Sequence, residues 1–214
     1  MDKKNLFNLR KEFTIKELSE DNLKSNPFEQ FDLWFSDALK IDSMEANIMF
    51  VATSSSAGIP SLRTVLLKEF DENGFVFFTN YTSRKGKEIR ENPNIAVLFY
   101  WNELERQVRI EGVCEKVSSE ESVTYFNSRP FDSRISATVS EQSKIIENRD
   151  LLESKFSGLK KKYEDQNIPK PEHWGGYRLK PINFEFWQGR ENRLHDRIQY
   201  SKDGDKWNIN RLSP

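Results

Sequence analysis

Between residues 48 and 117 the chain repeats one pattern five times: a short run rich in Val, Ile, Phe and Leu, followed by a break. The runs cover 48–54, 61–70, 75–80, 94–101 and 106–117. The signals Ala57-Gly58-Ile59-Pro60, Asp71-Glu72-Asn73-Gly74 and Asn102-Glu103-Leu104-Glu105 mark three of the breaks. Runs of this kind read as strands, and loops this short join antiparallel neighbours. Between the third and fourth runs, residues 82–91 read as a short helix stopped by Asn92-Pro93. The strand pattern returns after Trp174-Gly175-Gly176, in 177–179, 183–188, 193–200 and 207–210. Roughly eight strands favour a closed or split barrel over an open sheet, because closure removes exposed edges. Hydrophobic residues are only 36% of the chain but 16 are Phe, so the interior must rest on large rings.

Helices frame this β-rich pattern. Phe28, Phe31, Leu33, Trp34, Phe35 and Leu39 form a helical stripe that starts at Pro27, a residue permitted in a first turn, and ends near Ile41. Residues 118–128 form a second helix, with Ser118 and Glu121 spaced as a capping box, and residues 143–165 a third, closed off by Pro169 and Pro171. The fold class is therefore mainly β with α, of the α+β type. Residues 1–26 are polar and mixed in charge, and read as a partly ordered arm with at most a short helix around Leu9 to Phe13. Residues 27–214 read as a single domain.

Composition narrows the functions. With 33 basic and 34 acidic residues the net charge is −1, so no global field draws the chain to nucleic acid or to an anionic membrane, and any anion site must be local. No apolar run approaches the length of a membrane helix. One cysteine, Cys114, excludes an internal disulfide, and the start Met1-Asp2-Lys3-Lys4-Asn5 leads into no signal-like stretch; a cytoplasmic home is the expectation. Two His and one Cys speak against a zinc site, so no metal is expected.

Four clusters of cations stand out. Arg193, His195 and Arg197 alternate with Leu194 and Asp196, so in a strand the three basic groups share one face, where they are either solvated or gathered for an anion. Arg84 and Lys85 follow Ser83 at a helix start, a place that favours acids unless an anion sits on the N–H groups. Tyr125 and Arg129 are one helical turn apart, and Pro130 can turn Ser133 back toward them. A guanidinium and two hydroxyls suit a phosphate monoester, although such pairs also simply pack and solvate. Arg63 and Lys68 have opposite parity in one strand and should serve opposite faces.

Phe184-Glu185-Phe186-Trp187-Gln188, four further residues, and then Arg193-Leu194-His195-Asp196-Arg197 resemble the signature of the pyridoxine/pyridoxamine 5′-phosphate oxidases. The resemblance extends in order through Arg63 to Lys68, Phe78-Thr79-Asn80, Ser83-Arg84-Lys85, Leu104 to Val108, Tyr125 to Ser133, Gln142-Ser143 and Trp174-Gly175-Gly176, spanning about residues 9 to 214. It implies an FMN-binding split β-barrel with flanking helices, working as a homodimer whose sites draw on both chains. By resemblance, FMN is held by Arg63, Thr64, Val65, Leu66, Leu67, Lys68, Phe78, Thr79, Arg84, Lys85, Gln107, Gln142, Ser143, Trp187 and Arg197. The vitamer is held by Arg10, Phe13, Lys68, Tyr125, Arg129 and Ser133, and by Arg193 and His195, which are the catalytic candidates. Phe13 and Phe78 stand where the family often has Tyr.

The implied reaction oxidises pyridoxine or pyridoxamine 5′-phosphate to pyridoxal 5′-phosphate, with dioxygen as acceptor, giving peroxide and, from the amine, ammonia. A reductase of the same barrel type would not need Tyr125, Arg129, Ser133, Arg193 and His195 together. A non-catalytic FMN or pyridoxal-phosphate carrier would need most of the same residues. An RNA-binding reading of Phe75-Val76-Phe77-Phe78 conflicts with the neutral charge balance and with burial of those rings.

Overall fold

The computed structural model of the chain describes residues 12–41, 44–164 and 166–214. In chain order its elements are α1 (Pro27–Ile41), β1 (Ile48–Ser54), β2 (Pro60–Leu66), β3 (Glu69–Asp71), β4 (Gly74–Asn80), α2 (Arg84–Glu91), β5 (Asn94–Trp101) and β6 (Arg106–Lys116). Three helices follow, α3 (Ser119–Ser128), α4 (Phe131–Val139) and α5 (Arg149–Lys162), and then β7 (Trp174–Gln188), β8 (Asp196–Asp203) and β9 (Lys206–Arg211). Hydrogen bonding orders the strands β2-β1-β5-β6-β7-β4-β3, with β8 also on β7 and β9 on β8. The expected mainly-β architecture with helices is what forms.

The described residues fall into two compact units. One comprises residues within 48–97 and 111–181, the other residues within 12–47, 98–110 and 182–214. In the first, β1 and β2 form a hairpin from Ile48↔Leu66 to Ser54↔Pro60, and β4 lies antiparallel to β7 from Phe75↔Leu179 to Asn80↔Trp174. Phe75 and Phe77 on β4 are fully buried. The helical part packs Phe126 of α3 and Ile135 of α4 with Ile168 and Trp174 into a small core of its own. Ser118 caps α3 through the expected box: its hydroxyl accepts from Glu121 N at 3.0 Å and the Glu121 carboxylate accepts from Ser118 N at 2.9 Å.

In the second unit α1 lays its buried stripe, Phe31, Trp34, Phe35 and Ala38, against aromatic strands. Phe31 meets Phe99 at 5.0 Å and Trp34 meets Phe186 edge-on at 5.3 Å, an arrangement that adds quadrupole attraction to apolar burial. Arg106 lies 4.3 Å over Trp34 and donates to Asp37 at 3.0 Å and to Gln188 at 2.9 Å, so this buried cation has a carboxylate partner. β8 pairs with β7 from Asn183↔Ser201 to Gln188↔Asp196.

Several expected boundaries change. The run 61–70 is not one strand: β2 ends at Leu66, and Lys68 N–H turns to Val76 O before β3 begins. α4 was not foreseen; Pro130, read only as a breaker, takes the N-cap position of a new helix. The helix expected at 143–165 starts at Arg149, capped by Asn148. The runs 177–179 and 183–188 are parts of one strand, β7, and Pro181 lies where β7 exchanges β4 for β8 as its neighbour. The strand expected at 193–200 begins only at Asp196. Asn192 and Arg193 have φ of 54° and 62°, which no strand accommodates, so Arg193, His195 and Arg197 do not alternate along one strand face. Residues 12 and 13 are irregular, and the rest of the short helix expected at Leu9 to Phe13 lies outside the described residues.

Gly112 on β6 faces a crowded backbone, since a Cβ there would stand 2.0 Å from Lys180 O and 2.9 Å from a Leu179 methyl. Relief requires β6 and β7 to separate locally. Gly112→Ala should therefore destabilise the protein by about 3 kcal/mol, the upper end of overpacking costs, as read by urea unfolding. An unchanged midpoint would mean that the two strands do not approach this closely.

Candidate active site

A cleft of about 600 Å³ opens in the unit that contains β4. The end of β2 and the residues after it supply Thr64, Val65, Leu66 and Lys68; β4 supplies Phe78, Thr79 and Asn80; α2 supplies Lys85. The far wall is Tyr125 and Arg129 from α3, Ser133 and Ser136 from α4, and Gln142 and Trp174. Among the described residues, three cations and no carboxylate line the cleft.

Lys85 sits in the first turn of α2, which contains no acidic residue, and is capped by the Ser83 hydroxyl. Its Nζ is buried, 3.0 Å from Thr79 Oγ1 and 2.8 Å from Gln142 Oε1, both neutral groups. Burial, aided by the nearby Arg63 charge, pushes its pKa down to about 8. A buried ammonium held only by neutral oxygens beside a helix N-terminus is a place for an anion. Asn80 steadies the wall by donating to Ser140 O at 3.0 Å, close in sequence to Gln142.

Arg129 forms the second anion locus. Its guanidinium lies 4.9 Å from the Trp174 ring, and its buried NH1 has no hydrogen-bond partner among the described residues. An orphaned buried donor costs about 1–3 kcal/mol, more when charged, unless a ligand completes it. Around it Phe78 and Tyr125 stack at 3.9 Å, and Phe78 and Trp174 at 5.5 Å, giving an aromatic wall beside the cations. Two separated positive loci and a flat apolar wall fit phosphate monoesters carrying planar rings.

Arg63 and Arg84 were expected at the cofactor phosphate, but neither lines the cleft. The Arg63 guanidinium donates to Val51 O at 2.9 Å, to Thr53 and Ser61, and to Glu88 at 3.3 Å, while Arg84 Nε meets Glu88 Oε1 at 2.8 Å. Glu88 also accepts from Thr53 and Ser61 at 2.5 Å each. Burial works against its ionisation, yet the bonds from Ser61, Thr53 and Arg84 outweigh it and bring the pKa down to about 2. Lys68 lines the cleft and Arg63 turns to Glu88, but β2 ends at Leu66, so the two do not occupy opposite faces of one strand as expected. Leu67 is buried behind the wall, and Ser143, at φ 72°, opens onto a smaller pocket next to Gln142.

The other sequence candidates lie in the second unit. Trp187 and His195 are ring to ring at 4.6 Å, and Phe13 meets both edge-on at 5.7 and 5.6 Å. Arg193 is exposed beside them. Arg197 is held by Glu185 at 2.8 Å and by Ser213 O at 2.8 Å, and Gln107 is half-buried on β6. Arg10 lies outside the described residues. Asn80, Ser136, Ala137, Ser140 and Trp174 line the cleft without having been assigned a role from sequence. Ser136 follows Ser133 on α4, so recognising that helix would have found it; Trp174 stood in a matched motif. Among the described residues no cluster of three His, Cys, Asp or Glu could hold a metal, and no helix is long and apolar enough to cross a membrane.

His195 Nδ1 accepts the Arg190 backbone N–H at 3.1 Å, which leaves the proton of the neutral ring on Nε2. Burial first, then the Arg193 charge, lowers its pKa below 6.5, with Asp196 opposing. In ¹⁵N NMR at pH 7 the ring should appear neutral, as the Nε2–H tautomer, and titrate below 6.5. A charged ring at pH 7 or the Nδ1–H tautomer would refute this geometry.

Comparison with known proteins gives the family. The family model described as pyridoxamine 5′-phosphate oxidase matches residues 37–163, and that described as the pyridoxine 5′-phosphate oxidase C-terminal dimerisation region matches residues 174–214. A pyridoxine/pyridoxamine 5′-phosphate oxidase of Gloeothece citriformis is 55% identical over 207 residues, covering 96% of this chain and 97% of that one. Its counterpart in Trichormus variabilis is 56% identical over 207 residues, with the same coverage of each chain. The crystal structure of PhzG from Burkholderia lata, in complex with tetrahydrophenazine-1-carboxylic acid, superposes with a TM-score of 0.88 at 29% identity, covering 94% of this chain and 99% of that one. By sequence along nearly its whole length, and by its split-barrel fold, this chain belongs to the pyridoxamine 5′-phosphate oxidase family.

Proposed function

We propose that the cleft binds the phosphate of FMN at Lys85 and the phosphate of a B6 vitamer at Arg129, and that the chain oxidises pyridoxine or pyridoxamine 5′-phosphate to pyridoxal 5′-phosphate. The observation that carries this reading is the pair of uncompensated cations: Lys85 with only neutral partners, and Arg129 with an orphaned buried nitrogen. A carboxylate-free wall gives both a reason to wait for dianions. When bound, FMN would supply the two-electron chemistry that links oxidation of the substrate carbon to reduction of dioxygen to hydrogen peroxide.

The chain's own residues bind and orient. Thr79 and Gln142 hold Lys85 in place before any anion arrives, so little reorganisation accompanies binding. Lys68, Tyr125 and Ser133 stand with Arg129 to receive the vitamer phosphate, far enough from the reacting carbon to serve ground and transition states alike. In the tautomer set by Arg190, His195 Nε2 is a donor, so it orients the alcohol or amine by a hydrogen bond rather than removing its proton. Arg193, permanently charged, is assigned by resemblance to the substrate ring.

The C-terminal dimerisation region supports a homodimer in which a second copy completes each site. Residues 27–214 are read as one domain, a reading supported by β5, β6 and β7, each of which contributes residues to both compact units; of the arm read at residues 1–26, residues 1–11 lie outside the described residues. The single buried cysteine suits a reducing cytoplasm.

Flavin-loaded protein given pyridoxamine 5′-phosphate should consume oxygen and release one peroxide per vitamer oxidised. Arg129→Ala should raise KM roughly 10- to 100-fold with kcat changed only a few-fold, because the lost contact is uniform binding. Absence of peroxide from the flavin-loaded protein would overturn the oxidase reading. Loss of kcat at unchanged KM in the variant would overturn the role of Arg129.

A further inference from the structure

The segment before α1 is fastened by two carboxylates that no site assignment uses. Glu105, buried at 2% exposure, accepts Thr14 N at 2.9 Å and Ile15 N at 3.2 Å with Oε2. The same residue's carbonyl accepts Gly189 N at 2.8 Å and Gln188 Nε2 at 3.2 Å, at a backbone φ of 54°. Further along, Asp196 Oδ2 accepts Leu18 N at 3.0 Å, and Arg211 joins Asp196 at 2.6 Å to Glu20 and to Leu18 O. A carboxylate that accepts two consecutive backbone N–H groups makes charge-assisted bonds in a fixed geometry, and so sets the path of those residues.

Phe13 immediately precedes the pair that Glu105 holds. Its ring meets His195 at 5.6 Å and Trp187 at 5.7 Å, and it lies so close to Gly189 that a Cβ there would be 2.7 Å from Phe13 Cγ. Glu105 thus holds both sides of one contact: its side chain places Phe13, and its backbone places the chain that leads from β7 to His195. The ring of Phe13 packs edge-on against His195, beside the charges of Arg193 and Asp196 that act on the same imidazole.

We propose that Glu105 is a positioning residue for the oxidation: by fixing residues 14 and 15 it seats Phe13 against His195 and so sets the environment of the group that orients the substrate. The catalytic part rests on the function proposed above; the seating itself does not.

The test uses the full-length, flavin-loaded protein and three variants, with retained near-UV dichroism as the sign of folding. In Glu105→Ala the Thr14 and Ile15 amides should exchange with deuterium about tenfold faster or more, since exchange there follows local opening. The His195 titration should move up toward 6.5, and KM for pyridoxamine 5′-phosphate should rise roughly three- to tenfold with flavin affinity unchanged. Glu105→Gln, which keeps an acceptor oxygen, should restore most of each change. Gly189→Ala, which expels Phe13 while leaving the Glu105 carboxylate and its bonds to residues 14 and 15 in place, should reproduce the His195 and KM changes while Thr14 and Ile15 stay protected. The proposal is overturned if the Thr14 and Ile15 amides are unaffected by Glu105→Ala, or if they are freed while His195 titrates and KM stands as before. It is overturned equally if Gly189→Ala leaves His195 unmoved. Loss of all peroxide formation with the exchange and titration results intact would count against the proposed function and not against the seat.

Discussion

The Nζ of Lys85 is where three segments meet: β4 through Thr79, the first turn of α2, and the loop after α4 through Gln142. Taking an ammonium out of water costs several kcal/mol even after relaxation, and the usual remedy is a carboxylate. The remedy used here is two neutral oxygens. The cost shows as a pKa brought down to about 8, and the surrounding fold must hold those oxygens in place. β4 is buried along most of its length, and Asn80 ties its end to the loop that carries Gln142.

Several cations outside the cleft are paired with carboxylates. Glu88 serves Arg63 and Arg84, Asp37 serves Arg106, and Glu185 serves Arg109 and Arg197. Arg178 draws on Asp71 and Glu121. With so many carboxylates committed, a wall bearing Lys68, Lys85 and Arg129 and no acid is a local field inside a protein of net charge −1. The field needs no overall positive charge, because the low-dielectric aromatic wall of Phe78, Tyr125 and Trp174 lets each cation act at close range.

Local chemistry made parts of this legible in advance. Residues 48–54 and 94–101 form strands as read, because apolar alternation and turn signals act over a few residues. Ser118 and Glu121 cap α3 because a capping box needs only its own four positions. Lys85 and the Tyr125, Arg129, Ser133 trio could be singled out because cations at a helix start, or a hydroxyl and a guanidinium one turn apart, break local rules. Three things resisted. Pro130 reads as a stop, yet it opens α4. The left-handed Asn192 and Arg193 carry no glycine to betray them, so the strand at 193–200 was begun three residues early and its shared face was lost. Arg63 and Glu105 take their roles from partners 25 and 90 or more residues away, which no local pattern encodes.

If the uncompensated Lys85 is the cofactor's phosphate site, flavin affinity must follow its titration, and equilibrium titration of flavin-free protein with FMN from pH 7 to 10 measures this most directly. In the ligand-free protein Lys85 loses its proton near pH 8, whereas a bound phosphate dianion raises that value, so binding takes up a proton above pH 8. The FMN dissociation constant should be flat from pH 7 to about 8, then rise by up to about tenfold per pH unit until the bound-state pKa is passed. Lys85→Arg, which cannot deprotonate in this range, should bind FMN with that alkaline limb flattened. A wild-type affinity that stays constant through pH 10, or a limb that persists in Lys85→Arg, would place the phosphate elsewhere.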